Sequence, residues 1–168
     1  PTALAISGDG DDLYANRFIS PDAQGEVRHF DGASGSGMAF SQVIALEKDT
    51  VTLDDSIKAR GLPNYLADIA ISPDGETAWV SSKKDNIERG ALRDSNPLTF
   101  ESTVRAIITK IDLTQSSPVG SLSGQFDMDN SAQPTALAFS PNGDYLFVAL
   151  QGNNAIQVFD TFSDTFVT

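Results

Sequence analysis

One short phrase is written three times along the chain. It reads ISGDGDDLYA from Ile6, ISPDGETAWV from Ile71 and FSPNGDYLFV from Phe139, at intervals of 65 and 68 residues. The copies align on Gly10, Gly75 and Gly143. Serine stands three residues earlier (Ser7, Ser72, Ser140), and Asp9, Asp74 or Asn142 directly precedes the glycine. Large apolar residues stand four before it (Ile6, Ile71, Phe139) and six before it (Leu4, Ile69, Leu137), with Ala5, Ala70 and Ala138 between them. Four residues after the glycine comes an aromatic: Tyr14, Trp79 or Phe147. A chain repeated at this period makes one supersecondary unit several times and stacks the copies.

Each copy reads as a β-hairpin. LAIS, IAIS and LAFS alternate large and small side chains with the period of two of a strand. Gly8-Asp9-Gly10, Pro73-Asp74-Gly75 and Pro141-Asn142-Gly143 then reverse the chain. Proline presets φ, Asp or Asn bonds its own backbone, and glycine takes a positive φ. A second strand follows in DLYANRFI, TAWVSS and YLFVAL, rich in aromatic and β-branched residues. A third ends each time in an apolar residue and Asp: EVRHFD to Asp31, AIITKID to Asp112 and AIQVFD to Asp160. The first two copies add a fourth strand, FSQVIAL over Phe40–Leu46 and PVGSLSG over Pro118–Gly124. The third copy stops after three strands, with TFSDTFVT left over.

A four-stranded sheet that is apolar on both faces needs a neighbour on each side, and radial stacking of such sheets gives a β-propeller. The other reading is an antiparallel sandwich or barrel with a chance repeat, but sandwiches do not usually reuse one turn at one spacing. The expected fold is therefore all-β: a β-propeller fragment with two complete four-stranded antiparallel blades plus most of a third, in an open arc. The blades fall at about 1–47, 66–124 and 133–168. Rings close with about four to eight blades, so the chain is expected to be a segment of a larger propeller, cut at both ends. It starts at Pro1 and not at Met. Each terminal blade is then expected to bare an apolar face that invites association.

The chain's 168 residues carry a net charge of −12. A body this acidic repels phosphate backbones and anionic lipid, which argues against nucleic-acid partners. No stretch approaches the roughly 18 apolar residues of a membrane-spanning helix, so no membrane insertion is expected. The absence of cysteine removes disulfides, Cys-ligated metals, covalent c-type haem and thiol catalysis from this stretch.

With strands lettered A to D from the centre outward, the A–B turns are tight in all three copies. The slack lies in the first D–A connection, Glu47 to Tyr65, and the second B–C connection, Lys83 to Val104. Both leave the same rim of a propeller, opposite the A–B turns, and insertion-bearing faces of repeat proteins are commonly their binding faces. The second insertion brings Lys83, Lys84, Asp85, Asn86, Arg89 and Arg93, with Arg105 just beyond; these hold 5 of the 11 basic residues. Such a basic cluster on an acidic body suits an anionic ligand or an acidic partner surface; the plainer reading is a loop held by its own Asp–Arg pairs.

Other chemical signals are weak. His29 is the single histidine, which excludes multi-His metal sites, and it reads as an ordinary strand residue with no Ser or Cys nucleophile nearby. Asp9, Asp11 and Asp12 begin like a calcium loop, as do Asp127, Asp129 and Asn130. Neither stretch has Gly at the sixth or Glu at the twelfth position of an EF-hand. Asp9 belongs to its turn, which leaves Asp127, Asp129 and Asn130 as the candidate hard-cation site. GASGSG, Gly32 to Gly37, opens no helix and is no phosphate cradle.

The wording ISPDG…AWVSS and FSPNGDYLFVALQGNNAIQVFD resembles the bacterial YVTN-type β-propeller repeats over nearly the whole chain. Ser82 to Leu113 is similar to a subgroup in which such a propeller accompanies a c-type cytochrome domain like that of the di-haem peroxidases. The resemblance implies a periplasmic or extracellular setting, with the propeller as scaffold or docking part. Any haem would sit in a neighbouring domain, because Cys-x-x-Cys-His is absent here. No cofactor is expected within the fragment itself. Its expected partners are the remaining blades of the same propeller and a cytochrome-type domain or another protein. The leading functional expectation is a non-catalytic interaction scaffold. The alternatives are an enzyme with its site at the channel mouth, such as a lactonase-like hydrolase or a redox partner domain, and a glycan-recognising adhesion module.

Overall fold

The computed structural model describes residues 1–55, 58–88 and 99–167, apart from the side chain of Phe100. The chain lays down three antiparallel four-stranded sheets in succession. The first comprises β1 (Leu4–Ile6), β2 (Leu13–Asn16), β3 (Gln24–Asp31) and β4 (Ala39–Glu47). The second comprises β5 (Leu62–Ile71), β6 (Thr77–Asp85), β7 (Val104–Asp112) and β8 (Gln125–Met128), with a one-turn helix α1 (Phe100–Thr103) leading into β7. The third comprises β9 (Pro134–Phe139), β10 (Tyr145–Leu150), β11 (Ala155–Asp160) and β12 (Thr165–Phe166). In each sheet, strand order follows chain order. This is the up-and-down blade of a β-propeller, and the three blades form an open segment of one.

The repeated phrase makes the same turn in each blade. In blade two the Ser72 hydroxyl donates to Asp74 at 2.5 Å, and the Thr77 amide donates back to Ser72 Oγ at 2.9 Å. Gly75 sits at φ 78°, a conformation that glycine alone adopts without strain. Register follows: Ala5 faces Tyr14, Ala70 faces Trp79 and Ala138 faces Phe147 across the first strand pair of each blade. Alanine is small there because an aromatic ring stands opposite.

Two seams hold the blades together. Tyr14, Val27, Ile44 and Leu46 of blade one interlock with Leu66, Ile69, Ala78, Val80 and Ile111 of blade two. Trp79, Ala106, Ile108 and Met128 on the other side of blade two meet Leu146, Val148, Leu150 and Phe159 of blade three. Trp79 and Phe159 are fully buried, with ring centroids 5.1 Å apart. The outer ends of blade one, with Leu4, Ile6, Phe40 and Val43, and of blade three, with Tyr145, Phe147 and Ile156, remain exposed.

Two strand placements differ from the sequence reading. The fourth strand of blade two is Gln125–Met128, not Pro118–Gly124. The Gly- and Ser-rich stretch before it runs along blade one instead: Gly120 forms a parallel bridge to Leu46, with its amide on Ala45 O and its carbonyl taking the Glu47 amide, both at 2.8 Å. A Cβ on Gly120 would lie 2.5 Å from Leu46 Cδ2, so only glycine fits that approach. Phe126 and Met128 supply the alternation that the PVGSLSG stretch lacks, with Met128 buried in the second seam. The leftover TFSDTFVT, in turn, supplies a two-residue fourth strand to blade three, with Phe166 opposite Phe159.

Candidate functional site

The loop-bearing rim carries a chain of ion pairs set into the seam between blades one and two. Strand pleating brings it about. Lys84 pairs with Arg105 across β6 and β7, and Ile107 pairs with Asp127 across β7 and β8. Residues of one parity face one side of the sheet, so Lys84, Arg105 and Asp127 all look toward blade one. Lys84 Nζ bridges Asp127 at 2.9 Å and Asp49, from the blade-one D–A loop, at 3.4 Å. Arg105 Nε lies 3.2 Å from the other oxygen of Asp127, NH1 lies 3.6 Å from Glu101, and NH2 bonds Asp129. The Lys84 side chain is 5% exposed and that of Arg105 is 7% exposed. Charges removed from water to this degree persist only when paired.

Asp49 anchors the far end of this chain. Burial pulls its carboxyl upward, but the Thr52 hydroxyl, the Thr52 and Val51 amides and the Lys84 ammonium outweigh burial and hold it below the usual carboxylate range. Asp85 is pushed the other way, its burial outweighing the hydrogen bond from Asn64 and the charge of Lys83. Asn64 binds the rim together: its Nδ2 donates to Asp85 at 3.0 Å and its Oδ1 accepts the Ser20 amide at 2.9 Å. Lys48 meets Glu88 at 2.5 Å, tying the D–A loop of blade one to the B–C loop of blade two.

The sequence-expected site residues thus divide. Lys84 and Arg105 are drawn together and consumed by carboxylates. Lys83, one pleat away, is half-buried with its ammonium 5.1 Å from the centre of the Tyr65 ring. Asp85 is bonded to Asn64, and the buried Asn86 side chain has no hydrogen-bond partner among the described residues. Arg89 and Arg93 lie outside the described residues. Asp127, Asp129 and Asn130, expected as oxygen ligands for a hard cation, stand at the end of β8. There Asp127 and Asp129 hold Lys84 and Arg105, and the Asn130 amide donates to Glu101 at 2.7 Å. Neighbouring protein cations therefore already compensate the charge of both carboxylates.

Sequence reading missed an aromatic ledge on this rim. Phe18 and Tyr65, from adjacent blades, meet edge to face with centroids 5.4 Å apart, and both are exposed. Tyr65 occupies a bulge in β5 at φ 51°, which tips its ring out of the sheet. The one sequence signal for the ledge was the length of the D–A connection that ends at Tyr65.

No family model and no curated protein matches the chain. Solved structures do. Kuenenia stuttgartiensis hydrazine synthase matches 98% of this chain at 15% identity, with TM-score 0.69, over 48% of its own chain. A protein described as a putative 6-phosphogluconolactonase from Bacteroides fragilis matches 98% of this chain at 22% identity, with TM-score 0.58, over 36% of its own. The β-propeller domain of Myceliophteria thermophila Cps50 (Swd1) matches more loosely, with TM-score 0.38 at 13% identity. The chain thus spans less than half the length of the first two structures that it matches. At these identities the likeness is one of fold, that of the propeller blade.

Proposed function

We propose that the chain is a non-catalytic propeller scaffold, the YVTN-like part of a larger exported bacterial protein, that meets its partner through the loop-bearing rim. The observation that carries this reading is the division of labour there. Lys84 and Arg105 are locked into carboxylates and stiffen the loops, while Phe18 and Tyr65 stand outward as a ledge with the half-buried Lys83 against the Tyr65 ring. Rigid support under exposed aromatic groups is the composition of a protein-binding surface. The remaining blades would cover the exposed faces at both ends of the arc. A cytochrome-type domain of the same protein is the partner class that the sequence resemblance favours.

A photo-crosslinking residue placed at Lys83 in the whole protein tests this. It should crosslink to the partner domain, whereas one at Asp144, on the opposite rim, should not. Equal crosslinking from the two rims overturns the choice of face. The likeness to the lactonase-described structure supports a second reading, hydrolysis at the channel mouth. Hydrolysis of 6-phosphogluconolactone by the whole protein, lost on changing Lys83 or Tyr65, would replace the scaffold reading with that one.

A further inference from the structure

The other rim, where the A–B turns lie, holds a cluster of a different kind. His29 Nε2 lies 2.7 Å from Asp12 Oδ1 and 3.2 Å from Asp31 Oδ1. The three ligand atoms fall within 4.8 Å of one another. We propose that Asp12, His29 and Asp31 form a binding site for one divalent transition-metal ion of the zinc type.

The geometry is close to that of a site. A tetrahedral ion about 2.1 Å from each ligand spaces the ligand atoms roughly 3.4 Å apart. The separations on His29, 2.7 and 3.2 Å, already lie close to that value, and the two carboxylates, nowhere more than 4.8 Å apart, reach it by side-chain rotation. The imidazole needs no adjustment. It stacks on Tyr14 with centroids 4.7 Å apart and planes 7° from parallel, which aims Nε2 at the rim. Asp12 is fixed by its turn, its amide donating to Ser7 Oγ and its carbonyl accepting the Ser7 amide, both at 2.9 Å.

The blades differ at the position opposite the repeat aromatic. The residue paired with the repeat aromatic is His29 in blade one, Lys110 in blade two and Val158 in blade three. In blade two the Lys110 ammonium lies 5.4 Å from the centre of the Trp79 ring and pairs with Asp164 at 3.0 Å. In blade two that slot therefore houses a permanent positive charge, and in blade three an apolar side chain. In blade one it houses a histidine facing two carboxylates. The aspartate that ends the third strand also changes role. Asp112 and Asp160 turn back to accept amides of their own C–D turns, from Thr114 and from Phe162 and Ser163. Asp31 is instead directed at His29. The loop-rim carboxylates Asp49, Asp127 and Asp129 each meet a lysine or arginine, but among the described residues no lysine or arginine pairs with Asp12 or Asp31.

One imidazole and two carboxylates suit zinc better than calcium, which takes six to eight oxygens. Three protein ligands leave a fourth position for water. Among the described residues His29 Nδ1 is buried without a partner, so the ring lacks there the acceptor that usually supports a metal-bound histidine, a deficit of about 10–100-fold in affinity. Binding is therefore expected in the micromolar range.

Metal-free protein titrated with Zn²⁺ by calorimetry should bind one ion per chain. Because His29 is the single histidine, its imidazole nitrogens give one pair of NMR signals, and Zn²⁺ should move the Nε2 signal in the unmodified protein. His29→Gln and Asp31→Asn should each weaken binding at least about tenfold, while Asp112→Asn in blade two should leave it unchanged. An unmoved His29 signal at saturating Zn²⁺, or undiminished binding by the His29→Gln variant, overturns the site. The NMR measurement decides the matter even if a variant misfolds.

Discussion

Replacing Lys84 with methionine keeps most of the side-chain volume but deletes the charge between Asp49 and Asp127. The Lys84 and Asp49 side chains are 5% and 7% exposed, so Asp49 loses its cation with little water to take its place. Breaking a buried ion pair from one side costs about 3–5 kcal/mol. Asp127 is 29% exposed and keeps Arg105, which places the expected loss at the low end, about 3 kcal/mol. For a domain of this size each kcal/mol lowers Tm by about 2–4 °C, so Lys84→Met should melt roughly 6–12 °C lower, followed by circular dichroism of the β signal. The penalty is the stranded charge, so it should be partly relieved by a second change, Asp49→Asn, which keeps an oxygen to accept the Val51 and Thr52 amides. The double variant should be more stable than Lys84→Met alone. If Lys84→Met melts with the parent, or Asp49→Asn lowers Tm equally in both backgrounds, the pair carries no such coupling and the account of the seam is wrong.

Other expectations follow from the same structure. Gly120→Ala forces a methyl against Leu46 and Thr109, at 2.5 and 2.8 Å, and should cost about 1–3 kcal/mol, measured by urea unfolding. Trp79→Ala empties the middle of the second seam and should cost about 3–5 kcal/mol, with blade three losing amide-exchange protection first. The carboxyls of Asp49 and Asp74 are held below their ordinary value of 3.8, Asp49 by hydrogen bonds and Lys84 acting against burial, and Asp74 by Ser72 and the Glu76 amide. The unfolded chain therefore binds more protons below that value. The stability these groups contribute is fully present above about pH 4 and is lost as pH falls through their folded values. Asp85 has the opposite sign, so Asp85→Asn should raise stability at neutral pH, read as a higher Tm.

The architecture was legible because its signal is local and repeated: Ser-x-x-Gly turns, alternating strands and an aromatic at one offset recur in every blade. Where the sequence reading slipped, the deciding contact was distant. PVGSLSG sits where a fourth strand is due, but Gly120 is held by Leu46 of the preceding blade. The Asp127 cluster has the look of a cation loop in one dimension. Its cations arrive from Lys84 and Arg105, residues 43 and 24 positions away along the chain from Asp127 and Asp129 respectively. His29 looked solitary because one of its carboxylates comes from a turn 17 residues earlier.

The bridge between Leu46 and Gly120 binds blade two to blade one far from the axis, whereas Thr2 Oγ1 on Leu66 O ties them close to it. Fastened at two radii, that pair of sheets cannot hinge like pages of a book, so the angle between them is set by their own side chains. A closed ring built from such pairs would inherit its blade number as the sum of many small, locally written rotations.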